Sequence, residues 1–232
     1  YGVAIFLQLF TLYFTATRGA ILGLIGGLII TTILVLIFEK DRKTLRKTAL
    51  GILVGIVALG GLFALLSNTN FVKQSPVLSR FNVKEFVETS KVRSMVWTMG
   101  WYGFKERPIL GWGQENFNIV FNKYYDPAMY GQEQWFDRTH NIFFDWLIAA
   151  GLVGLLSYLS LYVISLYVVW GKTNNFSVVE KSILTGLFAG FFFHNIFVFD
   201  NLVSYILFFS LLGYINASYL EMKSLVGEKK IG

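Results

Sequence analysis

A single arginine, Arg18, lies between two apolar runs in the stretch "FTLYFTATRGAILGLIGGLIITTILVLIF", residues 10–38. A permanent charge in the middle of a bilayer costs at least ~2.5–3.5 kcal/mol on insertion scales, so a compensating partner is expected. The guanidinium group offers a planar fork of donors that matches phosphate or carboxylate oxygens. Arg18 is therefore a candidate anion-binding residue. The alternative is a membrane anchor that reaches lipid headgroup phosphates.

Two further ionisable residues, His194 and Asp200, occur in the apolar stretch "FFFHNIFVFDN". Ionisable groups inside a membrane segment are functional candidates by default. A neutral histidine that hydrogen-bonds to a neighbouring helix is the simpler explanation of His194. We therefore treat His194 as a second-tier candidate.

The composition predicts an integral membrane protein. Hydrophobic residues make up 55% of the chain and charged residues 15%, whereas about 25% of residues are charged in a soluble protein. The net charge of +6 is concentrated beside apolar segments, where membrane topology explains it, and we expect no nucleic-acid partner. The absence of cysteine excludes disulfides, thiolate metal sites and thiol nucleophiles.

Six apolar runs approach or reach the ~20 residues with which a helix crosses a bilayer. The sequence thus predicts an all-α, polytopic protein with about six transmembrane helices. Because the first run begins directly at Tyr1 without a methionine, we expect a fragment that lacks N-terminal helices. The predicted spans are residues 1–14, 19–38, 48–67, 142–170, 183–199 and 203–220.

The distribution of basic residues predicts which connections face the cytoplasm. Residues 39–47 carry five Lys and Arg against two acids, and residues 171–182 and the tail after Leu220 also carry a positive surplus. Basic connections stay on the cytoplasmic side. The chain then divides into three membrane helices within 1–67, a long extracytoplasmic loop over 68–140, and three more helices within 141–232.

The long loop contains an amphipathic, helix-like run from residue 90 to residue 108. Ser90 is a candidate N-cap, and Pro108 ends the run. Arg93 and Trp97 are four residues apart, so they share one face of this helix. An amphipathic helix beside membrane spans is expected to lie on or dip into the outer interface.

Three segments of this sequence carry a resemblance when taken in order. They are "TATRGAILGL", "RSMVW…GF…RPILGWGQENF" and "THNIFFDWLIAAGLVGLLSYL". Between residues 10 and 160 the chain resembles the C-terminal half of the bacterial O-antigen ligase and O-antigen polymerase superfamily. The resemblance implies an enzyme of the cytoplasmic (inner) membrane that transfers a glycan from an undecaprenyl-diphosphate carrier to an acceptor on the extracytoplasmic face. The implied acceptor is lipid A-core or another glycan, and the surrounding lipids are further partners.

The resemblance also assigns roles to particular residues. It maps the family's membrane-edge arginine onto Arg18, its loop arginine onto Arg93 and its histidine at the head of a helix onto His140. Two guanidinium groups suit a diphosphate leaving group, and an imidazole can accept the proton of an acceptor hydroxyl as a general base. His140 is thus the candidate catalytic residue, with Arg18 and Arg93 as substrate-binding residues.

Simpler explanations exist for these residues. Arg93 could be an ordinary lipid-facing cation, and His140 with Asn141 could be a helix-capping pair. Asp145, one turn further, could orient the imidazole or face the same wet cavity. Asn141 and Asp145 are therefore second-tier candidates, and Arg138 is expected to be a solvated loop charge.

No metal or other cofactor is expected. Divalent ions bound to diphosphate usually need one or two well-placed carboxylates, whereas the acids of the loop are widely scattered. The sequence therefore predicts metal-independent transfer with arginines in place of a metal ion. The loop acids are Glu85, Glu88, Glu106, Glu115, Asp126, Glu133 and Asp137.

Several related functions remain open at this point. A ligase is the first interpretation, a polymerase that uses lipid-linked repeats as acceptors is the second, and protein glycosylation is the third. A transporter of the same lipid would instead show repeated halves and charges deep within several spans. An enzyme requires Arg18, Arg93 and His140 to converge, and a purely structural membrane protein does not.

Overall fold

The computed structural model describes residues 1–172 and 176–228, and this part of the chain is helical without strands. Short 3-10 turns lie at Ser79–Phe81 and Pro127–Met129, and a π-helical turn, Val168–Lys172, extends the seventh helix. The α-helices are α1 (Gly2–Thr15), α2 (Arg18–Phe38), α3 (Lys43–Leu66), α4 (Asn70–Gln74), α5 (Val83–Glu106), α6 (Phe117–Lys123), α7 (Ile142–Tyr167), α8 (Val178–Asn195) and α9 (Leu202–Glu228).

Four helices in the described ranges are long and apolar enough to cross a membrane. They are α2, α3, α7 with part of its π-helical extension (Ile142–Gly171), and α9 over Leu202–Ser224. These four correspond to four of the six predicted spans. The other two correspond to α1, which has only 14 residues, and α8, whose ends carry Glu180, Lys181 and His194. The all-helical membrane fold is confirmed, while the count of six spans is not.

The closest helix pairing joins α2 to α8 in antiparallel orientation. Gly19, Gly23 and Gly27 recur every four residues along α2 and are buried. A Cβ atom on Gly23 would lie 2.7 Å from the carbonyl oxygen of Gly190, and one on Gly27 would lie 2.6 Å from that of Gly186. Small residues at such spacing let two backbones approach within a membrane. This contact fixes the first turn of α2 beside the last turn of α8.

The long loop over residues 68–140, which we call the outer loop after its predicted position, is attached to α7 at a break in that helix. Gly151 interrupts α7 with a φ of 62°, so nearby backbone groups lack their usual partners within the helix. The preceding loop supplies these partners, because the amide of Trp112 donates to Ile148 O at 2.6 Å and the amide of Leu152 donates to Pro108 O at 2.8 Å. The turn around Trp112 is therefore a docking segment that completes α7.

Helix α5 differs from the amphipathic helix expected over residues 90–108. It begins at Val83, so the predicted N-cap Ser90 lies inside the helix. Val96 and Met99 are 1% and 2% exposed and pack with Val120 of α6 in the core of the outer loop. The apolar stripe thus covers a folded core, because α6 and the segment before α7 return over it.

The glycine contact between α2 and α8 gives the first testable prediction. Gly27→Ala would push a Cβ atom against the backbone of Gly186, and we expect a loss of about 1–3 kcal/mol in the free energy of unfolding. The measurement is the thermal unfolding midpoint of the purified protein in detergent.

Gly26→Ala is the matched control, because the Cβ atom at this neighbouring position would have no atom within 4 Å. An interior helical glycine is roughly 0.5–1 kcal/mol worse than alanine, so this variant should be neutral or slightly stabilised. Equal midpoints for the two variants would contradict the proposed importance of close packing between α2 and α8.

Candidate functional site

Arg18 is the first residue of α2 and borders a cavity of about 310 Å³. The chain turns into α2 through Ala16, which has a left-handed φ of 51°, and Thr17, the N-cap. Arg93 of α5 and Arg80 of the preceding 3-10 turn line the same cavity. The positive end of the α2 dipole also lies at this point. The cavity is therefore suited to an anionic group.

Arg93 is half-buried beside the turn that follows α8. Its guanidinium carbon lies 5.8 Å from the centre of the Phe197 ring. Burial and the positive charge of Arg18 lower the pKa of Arg93 from its usual value. Because that usual value lies far above neutral pH, the side chain stays charged. Arg18 and Arg93 thus present two positive charges to one space.

His140 lies just before α7 and borders a second cavity of about 650 Å³. Its backbone is left-handed, with a φ of 55°. The imidazole lies between two phenylalanine rings, with centroid distances of 5.6 Å to Phe136 and 5.2 Å to Phe199. Arg93 also lines this second cavity. The imidazole is thus presented to an open space beside a guanidinium group.

A hydrogen-bonded turn holds the backbone of His140 in place. Asn141 is the N-cap of α7, because its side-chain oxygen accepts from the amides of Phe143 and Phe144. Asp145 Oδ1 accepts from the backbone amide of Thr139 at 2.8 Å. The capping interpretation is therefore correct for Asn141. It does not hold for His140, which lies outside the helix and presents its imidazole to the second cavity.

Trp97 connects this turn to α5. Its indole nitrogen donates to the carbonyl oxygen of Thr139 at 3.0 Å, and its ring stacks on Phe144 at 6.0 Å. Arg93 precedes Trp97 by one helical turn. The bond from Trp97 therefore brings Arg93 and His140 to the same side of the outer loop.

The electrostatic surroundings of His140 favour its neutral form. Burial lowers the pKa of the imidazole from its usual 6.5, and Arg93 lowers it further. The carboxylates of Glu133, Asp145 and Asp137 act in the opposite direction and are weaker influences. A neutral imidazole near pH 7 can accept a proton.

Arg18, Arg93 and His140 do not line one common cavity but are connected through two cavities. Arg18 and Arg93 share the first cavity, whereas Arg93 and His140 share the second. Arg93 and Thr89, on neighbouring turns of α5, line both. Arg93 is thus the charged residue common to the arginine-lined cavity and the cavity at His140.

The remaining second-tier candidates lie apart from these cavities. His194 of α8 packs against Gly19 of α2, with its Nδ1 atom 3.4 Å from the position of a Cβ atom there. Its surroundings belong to the contact between α2 and α8. Asp145 Oδ1 accepts hydrogen bonds from the amide and the hydroxyl of Thr139, so this oxygen does not orient the imidazole.

Arg80 was missed in the sequence, and Arg138 was misjudged. Arg80 has no periodic pattern around it that would have marked it. Arg138, expected to be solvated, forms an ion pair with Glu115 and lies 5.3 Å from the Phe199 ring. Asp200 is 5% exposed and accepts a hydrogen bond from Tyr158.

Among the described residues, no group of three or more His, Asp or Glu is arranged to hold a metal ion.

Comparison with known proteins identifies the family. The family model described as O-Antigen ligase matches residues 3–159, which is more than half of the chain. The search of curated proteins and the search of solved structures each gave no match. The matched residues include Arg18 of α2, Arg93 of α5 and His140, which lies just before α7. The chain therefore belongs to the O-antigen ligase family of membrane proteins.

Proposed function

We propose that this protein transfers a glycan from an undecaprenyl-diphosphate carrier to an acceptor hydroxyl on the outer face of the bacterial cytoplasmic membrane. The observation that carries the proposal is the position of Arg93. It lines one cavity with Arg18 and Arg80 and the adjoining cavity with His140. The donor diphosphate and the proton acceptor would then meet at the wall between the two cavities.

The arginine-lined cavity is the proposed binding site of the diphosphate. Arg18, Arg80 and Arg93 would bind its oxygens through charge-assisted hydrogen bonds. When the bond between the anomeric carbon and the phosphate oxygen breaks, its electron pair goes to the diphosphate. Cations fixed beside that developing charge lower the barrier most.

His140 is the proposed general base. The acceptor hydroxyl would give its proton to the imidazole while its oxygen forms the new bond to the anomeric carbon. Because burial and Arg93 lower the pKa of His140, the imidazole is ready to accept that proton at neutral pH. The products are the elongated acceptor, undecaprenyl diphosphate and a proton.

Transfer is the decisive assay. The full-length purified protein, reconstituted in vesicles, is given a defined lipid-diphosphate glycan and either lipid A-core or a second lipid-linked glycan. A new glycosidic bond with release of undecaprenyl diphosphate supports the proposal, and the productive acceptor distinguishes ligase from polymerase. Movement of intact donor across the membrane without bond formation would favour a transporter instead.

The first prediction for this function concerns Arg18. Arg18→Gln should lower kcat/KM for the donor about 10-fold or more, because hydrogen bonds to charged groups contribute roughly 1.5–3 kcal/mol. Arg18→Lys keeps the charge but loses the planar fork, so its kcat/KM should lie between those of the wild type and Arg18→Gln. Arg107→Gln is the matched control, since Arg107 stacks on Trp112. Wild-type kinetics in Arg18→Gln would return Arg18 to the role of a membrane anchor.

A second prediction concerns the pH dependence of His140. The neutral imidazole is the active form and its pKa in the free enzyme is lowered, so kcat/KM should be constant through pH 7 and decline only below about pH 6.5. His140→Asn should lose roughly 10²-fold or more in kcat and should lack this acid limb. His194→Asn is the control and should keep it. Most of the wild-type turnover with an unchanged pH profile in His140→Asn would refute the assignment.

A third prediction is that transfer needs no divalent metal ion, because three guanidinium groups converge where the diphosphate requires cations. Turnover should be unchanged after treatment with EDTA. Loss of activity with EDTA and recovery with magnesium or manganese would contradict this.

A further inference from the structure

The turn between α8 and α9, residues 196–201, contacts the surroundings of all three site residues. Phe197 and Val198 pack against Gly19, beside Arg18, at 3.4 and 3.5 Å from the position of a Cβ atom on that glycine. The Phe197 ring lies 5.8 Å from the guanidinium carbon of Arg93. This segment, which we call the α8–α9 turn, is therefore a wall shared by elements that are far apart in sequence.

Phe199 extends this wall to His140. Its ring lies 5.2 Å from the imidazole on one side and 5.3 Å from the guanidinium carbon of Arg138 on another. Phe136 contacts the imidazole from the outer loop. Phe136 is 5% exposed and belongs to the loop core. Phe199 therefore contacts the imidazole from outside that core.

A buried hydrogen-bond network fixes the α8–α9 turn. Asp200 accepts from Tyr158 of α7 at 3.3 Å, from Asn195 of α8 at 3.3 Å and from Ser204 of α9 at 3.4 Å. The Tyr158 hydroxyl also accepts from Asn195 at 2.9 Å. A buried carboxylate is costly without such partners, so the network favours one conformation of the turn. Three helices are thereby tied to the residue that follows Phe199.

We propose that the α8–α9 turn is a positioning element of the site, in which Phe199 holds the imidazole of His140 and Phe197 supports the guanidinium group of Arg93. This inference rests on the proposed function for its kinetic consequences. It assigns the two rings separable effects. Phe199 acts on the proton-transfer step, whereas Phe197 acts on binding of the diphosphate.

Other charged groups around His140 must stay constant in a test of Phe199. Arg93 approaches from α5, Glu133 and Asp137 from the loop before α7, and Asp145 from α7 itself. Arg138 contacts the Phe199 ring itself and is paired with Glu115. Phe199→Leu changes none of these charges. It replaces the ring by a smaller apolar side chain and lets water reach the imidazole.

The first measurement is a direct NMR titration of His140 in the full-length protein with labelled histidine, using His140→Gln to identify its signal. Phe199→Leu should move the titration midpoint of His140 upward, toward the usual value of a histidine. Phe197→Leu should leave that midpoint unchanged. The control is Phe209→Leu, because Phe209 lies on α9 and is 53% exposed.

The second measurement is donor kinetics. Phe199→Leu should lower kcat about 10-fold with little change in the donor KM, a smaller effect than the roughly 10²-fold that a 1 Å misplacement can cause. Phe197→Leu should mainly raise the donor KM. If the two rings had a purely structural role, both variants would be less stable, but one would not selectively change kcat while the other changed the donor KM.

An unchanged His140 midpoint in Phe199→Leu, or an equal shift in Phe209→Leu, would overturn the inference. If Phe199→Leu does not fold, Tyr158→Phe removes one hydrogen bond from Asp200 and should shift the midpoint in the same direction by a smaller amount. An unchanged midpoint in that variant would likewise overturn the inference. If wild-type protein performs no transfer while Phe199→Leu still shifts the midpoint, the proposed function fails and the positioning of His140 stands.

Discussion

The site depends on the close approach of α2 and α8. Gly23 and Gly27 leave no room for a Cβ atom against the carbonyl oxygens of Gly190 and Gly186, so the two helices meet in a single register. Helix–helix association in a membrane relies on van der Waals contact and hydrogen bonding, because lipid tails are as apolar as the side chains. This register brings the start of α2 against the end of α8. Arg18 and the α8–α9 turn meet there as a consequence.

The other half of the site is arranged from the outer loop. Trp97 binds the carbonyl oxygen of Thr139, while Asn141 and Asp145 fix the turn from which His140 projects. Helix α5 therefore carries both Arg93, which lines a cavity with Arg18, and Trp97, which holds the turn before His140. The α8–α9 turn contacts both halves through Phe197 and Phe199. The cavity at Arg18 needs both halves, because α2, α5 and the α8–α9 turn all line it.

The sequence predicted the membrane class, four of the spans and the family, because apolar run length and ordered motifs are local properties. It did not predict the bounds of α5, since its apolar stripe covers a loop core as readily as a lipid surface. The partners of Asp200 and Phe199 were equally hidden. Tyr158, which contacts Asp200, and His140, which contacts Phe199, lie about 40 to 60 residues earlier, and no local pattern reports such contacts. Asn141 was a correct alternative because helix caps have a local signature.

The break in α7 has a consequence for how the protein is assembled. Ile148 O and Ala149 O accept from the amides of Trp112 and Gly113, and Leu152 N donates to Pro108 O. The upper part of α7 therefore completes its backbone hydrogen bonding with a segment synthesised about 40 residues earlier. Unpaired backbone groups are costly in the hydrocarbon region, so the broken α7 is fully hydrogen-bonded only when this segment is docked against it. Folding of the loop and completion of α7 are thus coupled.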